Sequence, residues 1–319
     1  MDLSEDELID AIRRVLSGAG PEVIVGPGDD AAVLAQGAGE LVLTADAMIE
    51  GVHFDRRITS ARDLGYKAVT VTLSDIAAMG ASPRAALVTL CLTPDLDAAW
   101  VMELYGGMRQ ACDEHALWLV GGDLARGGQI AISVTVTGEV APGRAVTRAG
   151  ARAGDVLAVT GALGASASGL RVARSGRLHA DADRALLRAH LRPVARVGEG
   201  AVLARHGATA MMDVSDGLAR DLTRLASASA VGATIRLRDV PVADGATLND
   251  ALGGGEDYEL LVTLPGQEAF TAAAGELRES YGTPLTAIGR IVQGDGVNAV
   301  DDEDLERRLE PAGWDHFRP

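Results

Sequence analysis

The chain contains 319 residues, 47% of them hydrophobic, and its formal net charge at pH 7 is −16. This length exceeds the usual size of one domain, so two packed domains are expected. The acidic balance argues against nucleic acid or an anionic membrane surface as a partner, because either would be repelled. An acidic surface suits cation binding but also serves ordinary solubility, so charge alone does not identify a site.

The two cysteines, Cys91 and Cys112, have no CxxC spacing and are too few for a four-thiolate zinc site, so reduced structural thiols are expected. The N-terminal string MDLSEDELID is acidic where a signal peptide is basic. No uninterrupted apolar run reaches the roughly 18 residues needed to span a bilayer. These features predict a cytoplasmic protein that makes no use of a membrane.

Lys67 is the single lysine of the chain. A P-loop nucleotide-binding protein needs a lysine directly after its glycine-rich loop, and no such string occurs here. The HRD and DFG strings of protein kinases are absent as well. If this protein transfers phosphate, it does so by another route.

The first predicted element is an amphipathic helix that begins at a capping box, Ser4 with Glu7, and ends near Gly18. Short apolar runs that stop at a glycine or an acid predict strands at 23–34, 40–46, 86–92, 117–123 and 129–140. Small and apolar residues predict two tightly packed helices, at 62–81 and 97–116. Residues 1–140 therefore form a first α/β domain.

A turn-rich connector, which contains Pro142 and Gly143, leads into a second α/β domain at 141–319. It begins with a strand-to-glycine unit at 155–164, followed by an arginine-rich helical region at 168–206. A strand ending in MMDVSDG, a helix at 218–230 and strands at 233–240 and 259–264 complete the prediction. In both domains glycine and aspartate follow apolar strands, as in two related domains.

Several carboxylates of the first half lie beside small residues at the ends of apolar segments: Asp29, Asp30, Asp46, Asp75 and Asp123. One such aspartate is usually a turn or cap residue. A group of them matches the needs of Mg²⁺, which is held by a few carboxylates together with substrate phosphates. Bound Mg²⁺ then neutralises the charge of a transferring phosphoryl group.

The second half adds Asp213, Ser215 and Asp216 immediately before a predicted helix. The free amides at that helix N-terminus could hold a phosphate while the acids hold metal, or these side chains could simply cap the helix. Glu256 and Asp257 in GGGEDYEL present the same two alternatives.

Three further residues have ordinary structural explanations when taken singly. His53 is typical of a buried, hydrogen-bonded histidine, Arg148 of a surface charge, and Trp314 of an aromatic plug for the C-terminal segment. None would be singled out by residue type alone.

In combination the motifs resemble those of the thiamine-monophosphate kinase family, within the superfamily of aminoimidazole ribonucleotide synthetase. The match runs from near residue 20 to the C-terminal GWDHF, and its order and spacing are more specific than any single string. The strings are GDDAA (28–32), TAD with EGVHF (44–46, 50–54), YKAVTVTLSDIAAMGASP (66–83), GGD (121–123), TRAGARAGD (147–155), TGALGASASGL (160–170), LRP (191–193), MDVSDGLARDL (212–222) and GGEDYEL (254–260).

The resemblance implies a two-domain α/β subunit of the aminoimidazole ribonucleotide synthetase-like fold. It implies a homodimer in which the N-terminal sheets pair into a barrel, with ATP as co-substrate and thiamine phosphate meeting in a cleft. Several Mg²⁺ ions would assist direct in-line transfer, with no residue acting as acid or base.

The resemblance also implies site residues. The magnesium ligands would be Asp30, Thr44, Ala45 through its carbonyl, Asp46, Asp75, Asp123, Asp213 and Asp216. ATP would contact Gly122, Asp123, Arg148 and Ser215, and thiamine phosphate would contact His53, Glu256 and Trp314. Two positions depart from the family pattern: Thr72 stands where asparagine is common, and Ala45 where a hydroxyl residue is common.

Two alternatives stay open. Another enzyme of the superfamily, such as aminoimidazole ribonucleotide synthetase, selenophosphate synthetase or the hydrogenase maturation protein, shares the ATP half but differs at the substrate end. A catalytically silent protein that binds metal or nucleotide on the same fold is the second alternative.

Overall fold

The computed structural model describes residues 5–15, 22–25, 32–176 and 181–314. The chain divides into two compact units, one of Met1–Ile76 with Ser82–Gly143 and one of Ala77–Ala81 with Arg144–Pro319. Each unit combines helices with one main sheet. Within the part of the chain that the structure describes, no helix has the length and apolar character to cross a membrane.

The first unit contains a four-stranded sheet and two long helices. The strand order is β3-β6-β4-β5, with β4 and β5 parallel and the other pairs antiparallel. The elements are α1 (Glu5–Val15), β1 (Val23–Val25), β2 (Val33–Leu34), β3 (Glu40–Ile49), α2 (Ala61–Ala78), β4 (Ser82–Leu92), α3 (Ala98–Glu114), β5 (Trp118–Arg126) and β6 (Ala131–Val140). These bounds confirm most of the predicted elements of this half.

One predicted strand of this unit, 23–34, is wrong as a single element. It is two short strands, β1 and β2, which pair antiparallel with Val23 opposite Leu34. The Gly-Pro-Gly string between them has the composition of a turn, and the residues from 26 to 31 lie outside the described part of the chain.

The two faces of the first sheet differ in burial. Along β6, Ile132, Val134 and Val136 are buried, and the residues between them are half-buried. Ile76 of α2 lies close to Gly138 of β6, so the buried face is the one that the helix covers. On β3 the outward residues Leu41 and Leu43 are 60% and 63% exposed.

The second unit is built on a seven-stranded mixed sheet with the order β13-β12-β9-β11-β7-β10-β8. The pair β9 and β12 is parallel and the other pairs are antiparallel. The elements are β7 (Val156–Thr160), α4 (Ala165–Ser175), α5 (Asp181–Leu191), α6 (Val197–Arg205), β8 (Ala210–Asp213), α7 (Leu218–Ala228), β9 (Gly232–Arg236), α8 (Leu248–Gly253), β10 (Leu260–Leu264), α9 (Gly266–Tyr281), β11 (Leu285–Val292), β12 (Gly296–Val300) and β13 (Glu306–Arg308).

Both faces of this sheet are covered, which explains why its central strands are continuous apolar runs. Alternate residues of β7, β8 and β10 enter two separate cores. One core receives Leu222 of α7, and the other receives Leu203 of α6 and Leu277 of α9. When both faces of a strand are buried, successive residues are all apolar. Such a strand lacks the alternation of apolar and polar residues that marks a half-exposed strand.

Helices α2 and α3 of the first unit meet backbone to backbone at two glycines. A Cβ added to Gly65 would lie 1.9 Å from the carbonyl oxygen of Leu104. A Cβ added to Gly107 would lie 1.8 Å from the carbonyl oxygen of Arg62. Each helix therefore has a glycine where the backbone of the other helix approaches too closely for a side chain.

This contact predicts opposite effects for adjacent glycines of α3. Gly107→Ala should lower the free energy of unfolding by about 1–3 kcal/mol, because the new methyl group meets backbone that cannot move aside. Gly106→Ala should be neutral or stabilising by up to about 1 kcal/mol, because its Cβ meets only the end of the Arg62 side chain and alanine favours a helix. Urea denaturation of both variants measures the difference. Equal midpoints would contradict the close helix contact.

Candidate active site

Two carboxylates of the first unit are brought together by a strand and a helix. Asp46 lies on β3 and Asp75 on α2, and both are half-buried. Thr44 precedes Asp46 by two residues, so strand alternation places both side chains on the same face. The Thr44 hydroxyl donates a hydrogen bond of 2.5 Å to Asp75 Oδ2. The three oxygen-bearing side chains thus form one cluster.

The charge of this cluster is poorly compensated by its protein surroundings. The pKa of Asp46 is raised to about 6, first by burial and then by the neighbouring charge of Asp75, while a hydrogen bond from Thr72 acts in the opposite direction. A divalent cation would offset this repulsion, and carboxylate and hydroxyl oxygens are ligands that Mg²⁺ prefers. The residues present therefore fit a magnesium site.

Asp123, a further predicted ligand of the first unit, is not gathered at this pair. Across the sheet, Asp46 pairs with Val134, Val134 with Val88, and Val88 with Gly122. Asp123 follows Gly122 on β5, three strands away from Asp46, and is exposed. The side chain of Ala45 faces outward on β3, and the role of its carbonyl stays a prediction. Asp30 lies outside the described residues. Among the residues that are described, no group of three or more His, Cys, Asp or Glu could hold a metal.

Gly122, predicted to contact ATP, has a packing role of its own. A Cβ at this position would lie 1.9 Å from the carbonyl oxygen of Val88 on the neighbouring strand. Only glycine allows this approach of β4 and β5 without a shift of the backbone.

His53, predicted to contact thiamine phosphate, holds the turn that follows β3. The backbone N–H of Ile49 donates to His53 Nδ1 at 3.0 Å, and the backbone N–H of His53 donates to the carbonyl of Ile49 at 2.9 Å. Because Nδ1 accepts, the neutral ring carries its proton on Nε2.

In the second unit, two loops and the segment after β13 run side by side and gather most of the predicted residues of that half. Asp213 ends β8 and is 3% exposed. The backbone N–H of Glu256 donates to the carbonyl of Ser215 at 2.7 Å, and that of Trp314 donates to the carbonyl of Asp216 at 3.0 Å. The structure therefore brings Asp213, Ser215, Asp216, Glu256 and Trp314 to one end of the sheet.

The amides of the first of these loops are occupied by Asp221, a residue that the sequence analysis did not single out. Its Oδ2 accepts hydrogen bonds from the backbone N–H groups of Ser215, Asp216 and Gly217 at 3.0, 2.9 and 3.1 Å. These three loop amides are therefore occupied, and phosphate binding at the amides of the helix that starts at Leu218 stays a prediction. An aspartate in the first turn of a helix, directly after a glycine-containing loop, was the available signal.

Arg224 compensates the charges around this loop. One of its nitrogens, Nη1, lies 2.6 Å from Asp216 Oδ2 and 2.8 Å from Asp221 Oδ1. Asp221 is fully buried, and burial is the main cause that raises its pKa. Asp216 is thus held by an arginine, whereas Asp221 shapes the backbone.

The second loop has a strained backbone around a helix cap. Glu256 and Tyr258 have φ angles of 67° and 54°, in the left-handed region that non-glycine residues rarely adopt. Between them, Asp257 accepts hydrogen bonds from the N–H groups of Gly164 and Ser166 at 2.7 and 3.2 Å. Burial raises the pKa of Asp257 to about 7. Of the two alternatives for Asp257, the structure has the cap, here for α4.

A buried ion pair anchors the end of the same loop. Arg196 donates to both carboxylate oxygens of Glu259 at 2.8 and 2.6 Å, and the Thr160 hydroxyl donates to Glu259 Oε2 at 2.6 Å. Sequence reasoning missed Arg196 and Glu259, because nothing local distinguishes an arginine on a surface from one that reaches a carboxylate 63 residues away.

Arg148 is exposed, and its hydrogen bonds to other described residues come from its backbone alone. Its carbonyl accepts a hydrogen bond of 2.9 Å from the hydroxyl of Ser229, which also receives the amides of Gly150 and Ala151. The guanidinium is available for an anionic ligand.

The raised pKa of Asp46 predicts the pH dependence of a variant. Because ionising Asp46 is harder in the fold than in the unfolded chain, the wild type loses stability as pH rises from about 4 to about 6. With chelator present, Asp46→Asn should therefore be more stable than the wild type by about 1–3 kcal/mol at about pH 8, with a smaller difference at about pH 4.5. Urea denaturation measures this. Asp302→Asn, at an exposed surface position, is the control; a pH-independent effect of Asp46→Asn would contradict the charge repulsion.

Comparisons with known proteins agree with this architecture. The family models for AIR synthase related protein, N-terminal domain and C-terminal domain, match residues 28–140 and 152–302. A thiamine-monophosphate kinase of Aquifex aeolicus (strain VF5) is 36% identical over 99% of each chain. The crystal structure of thiamine-monophosphate kinase from Stenotrophomonas maltophilia K279a is 39% identical with a TM-score of 0.83, over 94% of this chain and 97% of that one. The structure of AaThiL complexed with AMPPCP and TMP is 34% identical with a TM-score of 0.78, over 99% of both chains. The chain belongs to the thiamine-monophosphate kinase family.

Proposed function

We propose that this chain transfers a phosphoryl group from ATP to thiamine phosphate, which yields ADP and thiamine diphosphate. The observation that carries the proposal is the similarity to thiamine-monophosphate kinases over nearly the whole chain. A relative of the same length has been determined with AMPPCP and TMP bound. The pair of Asp46 and Asp75 in the first unit and the carboxylates of Asp213 and Asp216 in the second support the same chemistry.

We infer that several Mg²⁺ ions bind to carboxylates of the chain. The support is the pair of Asp46 and Asp75 with the Thr44 hydroxyl, whose mutual repulsion a cation would relieve. The further proposed ligands are Asp30, Ala45 through its carbonyl, Asp123, Asp213 and Asp216. When bound, Mg²⁺ supplies neutralisation of the phosphate charge.

The proposed reaction is direct in-line transfer, in which a phosphate oxygen of thiamine phosphate attacks the terminal phosphorus of ATP. This oxygen is already an anion at neutral pH, so the aspartates serve as ligands and not as proton acceptors. Orientation and charge stabilisation are then the work of the protein. Gly122, Asp123, Arg148 and Ser215 are the proposed ATP contacts, and His53, Glu256 and Trp314 the proposed thiamine phosphate contacts.

We assign metal binding, ATP binding and dimerisation to residues 1–140, and ATP and substrate binding to residues 141–319. A cytoplasmic location is proposed from the two cysteines, which are both free thiols, Cys112 being buried.

The test is an assay of ADP and thiamine diphosphate with purified protein, ATP and Mg²⁺. Thiamine diphosphate should form only when thiamine phosphate is added. Asp75→Asn should lower the rate at least about a hundredfold, because a metal site fails when one carboxylate is removed, while Asp302→Asn should leave it unchanged. ATP binding without ADP release would favour the silent protein on this fold. ADP release at the same rate with and without thiamine phosphate would favour another enzyme of the superfamily.

We also propose that the first sheets of two copies pair into a barrel. The support is an apolar patch on the outward face of the first sheet, formed by Leu41 and Leu43 of β3 and Leu87 of β4, which are 60%, 63% and 45% exposed. Leu87 pairs with Thr135, which pairs with Ala45, so the patch extends across the sheet. Exposed apolar patches of this kind mark interaction surfaces.

A charge in this patch should separate the copies. Leu43→Asp is expected to convert a dimer into a monomer in sedimentation equilibrium, because the carboxylate would be buried unpaired. Val194→Asp, at an exposed apolar position of the second unit, is the control and should stay dimeric. A monomeric wild type would overturn the proposal.

A further inference from the structure

His190 of α5 is a buried histidine that the proposed reaction does not use. It is 4% exposed, and its Nδ1 contacts two other elements. One is the hydroxyl of Ser166 on α4, at 3.0 Å, and the other is Oε2 of Glu256 in the strained loop, at 3.4 Å. The histidine therefore joins two helices to the residue proposed to contact thiamine phosphate.

The chemistry of the contact determines where the proton lies. An ionised carboxylate only accepts hydrogen bonds, so an unprotonated Nδ1 would place its lone pair against the negative charge of Glu256. The arrangement is favourable when Nδ1 carries a proton, which Ser166 and Glu256 then share as acceptors. His190 is in this way a donor directed at the Glu256 carboxylate.

The surroundings keep this donor in place. A Cβ at Gly169 of α4 would lie 2.0 Å from the carbonyl of Leu186 and 2.9 Å from His190 Cβ, so α4 and α5 are in backbone contact. Asp257, next to Glu256, holds the amides of Gly164 and Ser166 at the start of α4. The loop backbone is thus bound to α4 by Asp257, and the Glu256 side chain is bound to α5 by His190.

We propose that His190 is a positioning residue that orients the Glu256 carboxylate toward the aminopyrimidine and thiazolium end of the substrate. This inference rests on the proposed function. A carboxylate held by a hydrogen-bond donor has its orientation set before the ligand arrives, and its negative charge suits a cationic, amino-bearing ligand. The effect is confined to thiamine phosphate, because ATP has a different set of proposed contacts.

Two substitutions separate donation from packing. His190→Phe preserves the ring volume and removes the donor, whereas His190→Asn leaves a smaller side chain whose amide nitrogen can donate from about the position of Nδ1. We expect His190→Phe to raise the KM for thiamine phosphate about tenfold, with kcat and the KM for ATP changed less than about twofold. His190→Asn should restore the KM to within about threefold of the wild type. If phenylalanine is not accommodated, His190→Leu serves as the variant without a donor.

If His190 acts through packing alone, His190→Phe should have a lower KM for thiamine phosphate than His190→Asn. That result would overturn the inference. An equal rise in both KM values would overturn it as well. In a Glu256→Gln background, His190→Phe should have less effect on the KM for thiamine phosphate than in the wild type; an undiminished effect counts against the inference. If the wild type makes no thiamine diphosphate, the proposed function fails first; normal turnover with an unchanged KM in His190→Phe overturns only the role of His190.

Discussion

The cost of burying a carboxylate shapes the second unit more than any other interaction. An ionised carboxylate removed from water is strongly unfavourable unless hydrogen bonds or a cation compensate it. Asp221 accepts hydrogen bonds from three successive amides and an arginine, and Asp257 from the amides at the start of α4, which offset part of the burial cost that raises both pKa values. Glu259 has a bidentate arginine. Each of these acids binds a loop to the core, and Glu256, one of the proposed substrate contacts, lies on one of those loops.

The carboxylates Asp46 and Asp75 of the first unit have different hydrogen-bond partners from those of the second unit. Asp46 and Asp75 lie close together, and among the described residues their side-chain hydrogen bonds come from the hydroxyls of Thr44 and Thr72. The contrast separates two kinds of carboxylate in one chain. Those with amide or arginine partners build the backbone, and those that repel one another suit a cation from outside. Asp216 is intermediate, because Arg224 already holds it and a metal would have to compete with that arginine.

Much of the fold could be predicted from the sequence, but unevenly. The long helices α2 and α3 and the strands β3 to β6 were predicted within a few residues, because their small and apolar residues, and the glycines and acids at the strand ends, are local signals. The predicted arginine-rich helical region is three helices, and the predicted strand 233–240 ends at Arg236 and continues as a 3-10 turn at Leu237–Asp239. No element was predicted beyond residue 264, where α9 and β11 to β13 follow. Of these strands, β11 and β12 pair with β7 and β9, which lie far away in the sequence.

The sequence by itself determined the absence of a P-loop, the alternation of strands and helices, and the family, because these depend on residue types and their order. It also named Asp46, Asp75 and Glu256. Only the tertiary structure decided what the acids do: Asp75 meets Thr44 across 31 residues, and Asp257 caps a helix 93 residues before it. The physical reason is that the protonation and the role of a carboxylate depend on its neighbours in space, which no local pattern contains. The same holds for His190, which lies 66 positions before Glu256 in the sequence but within 3.4 Å in the fold.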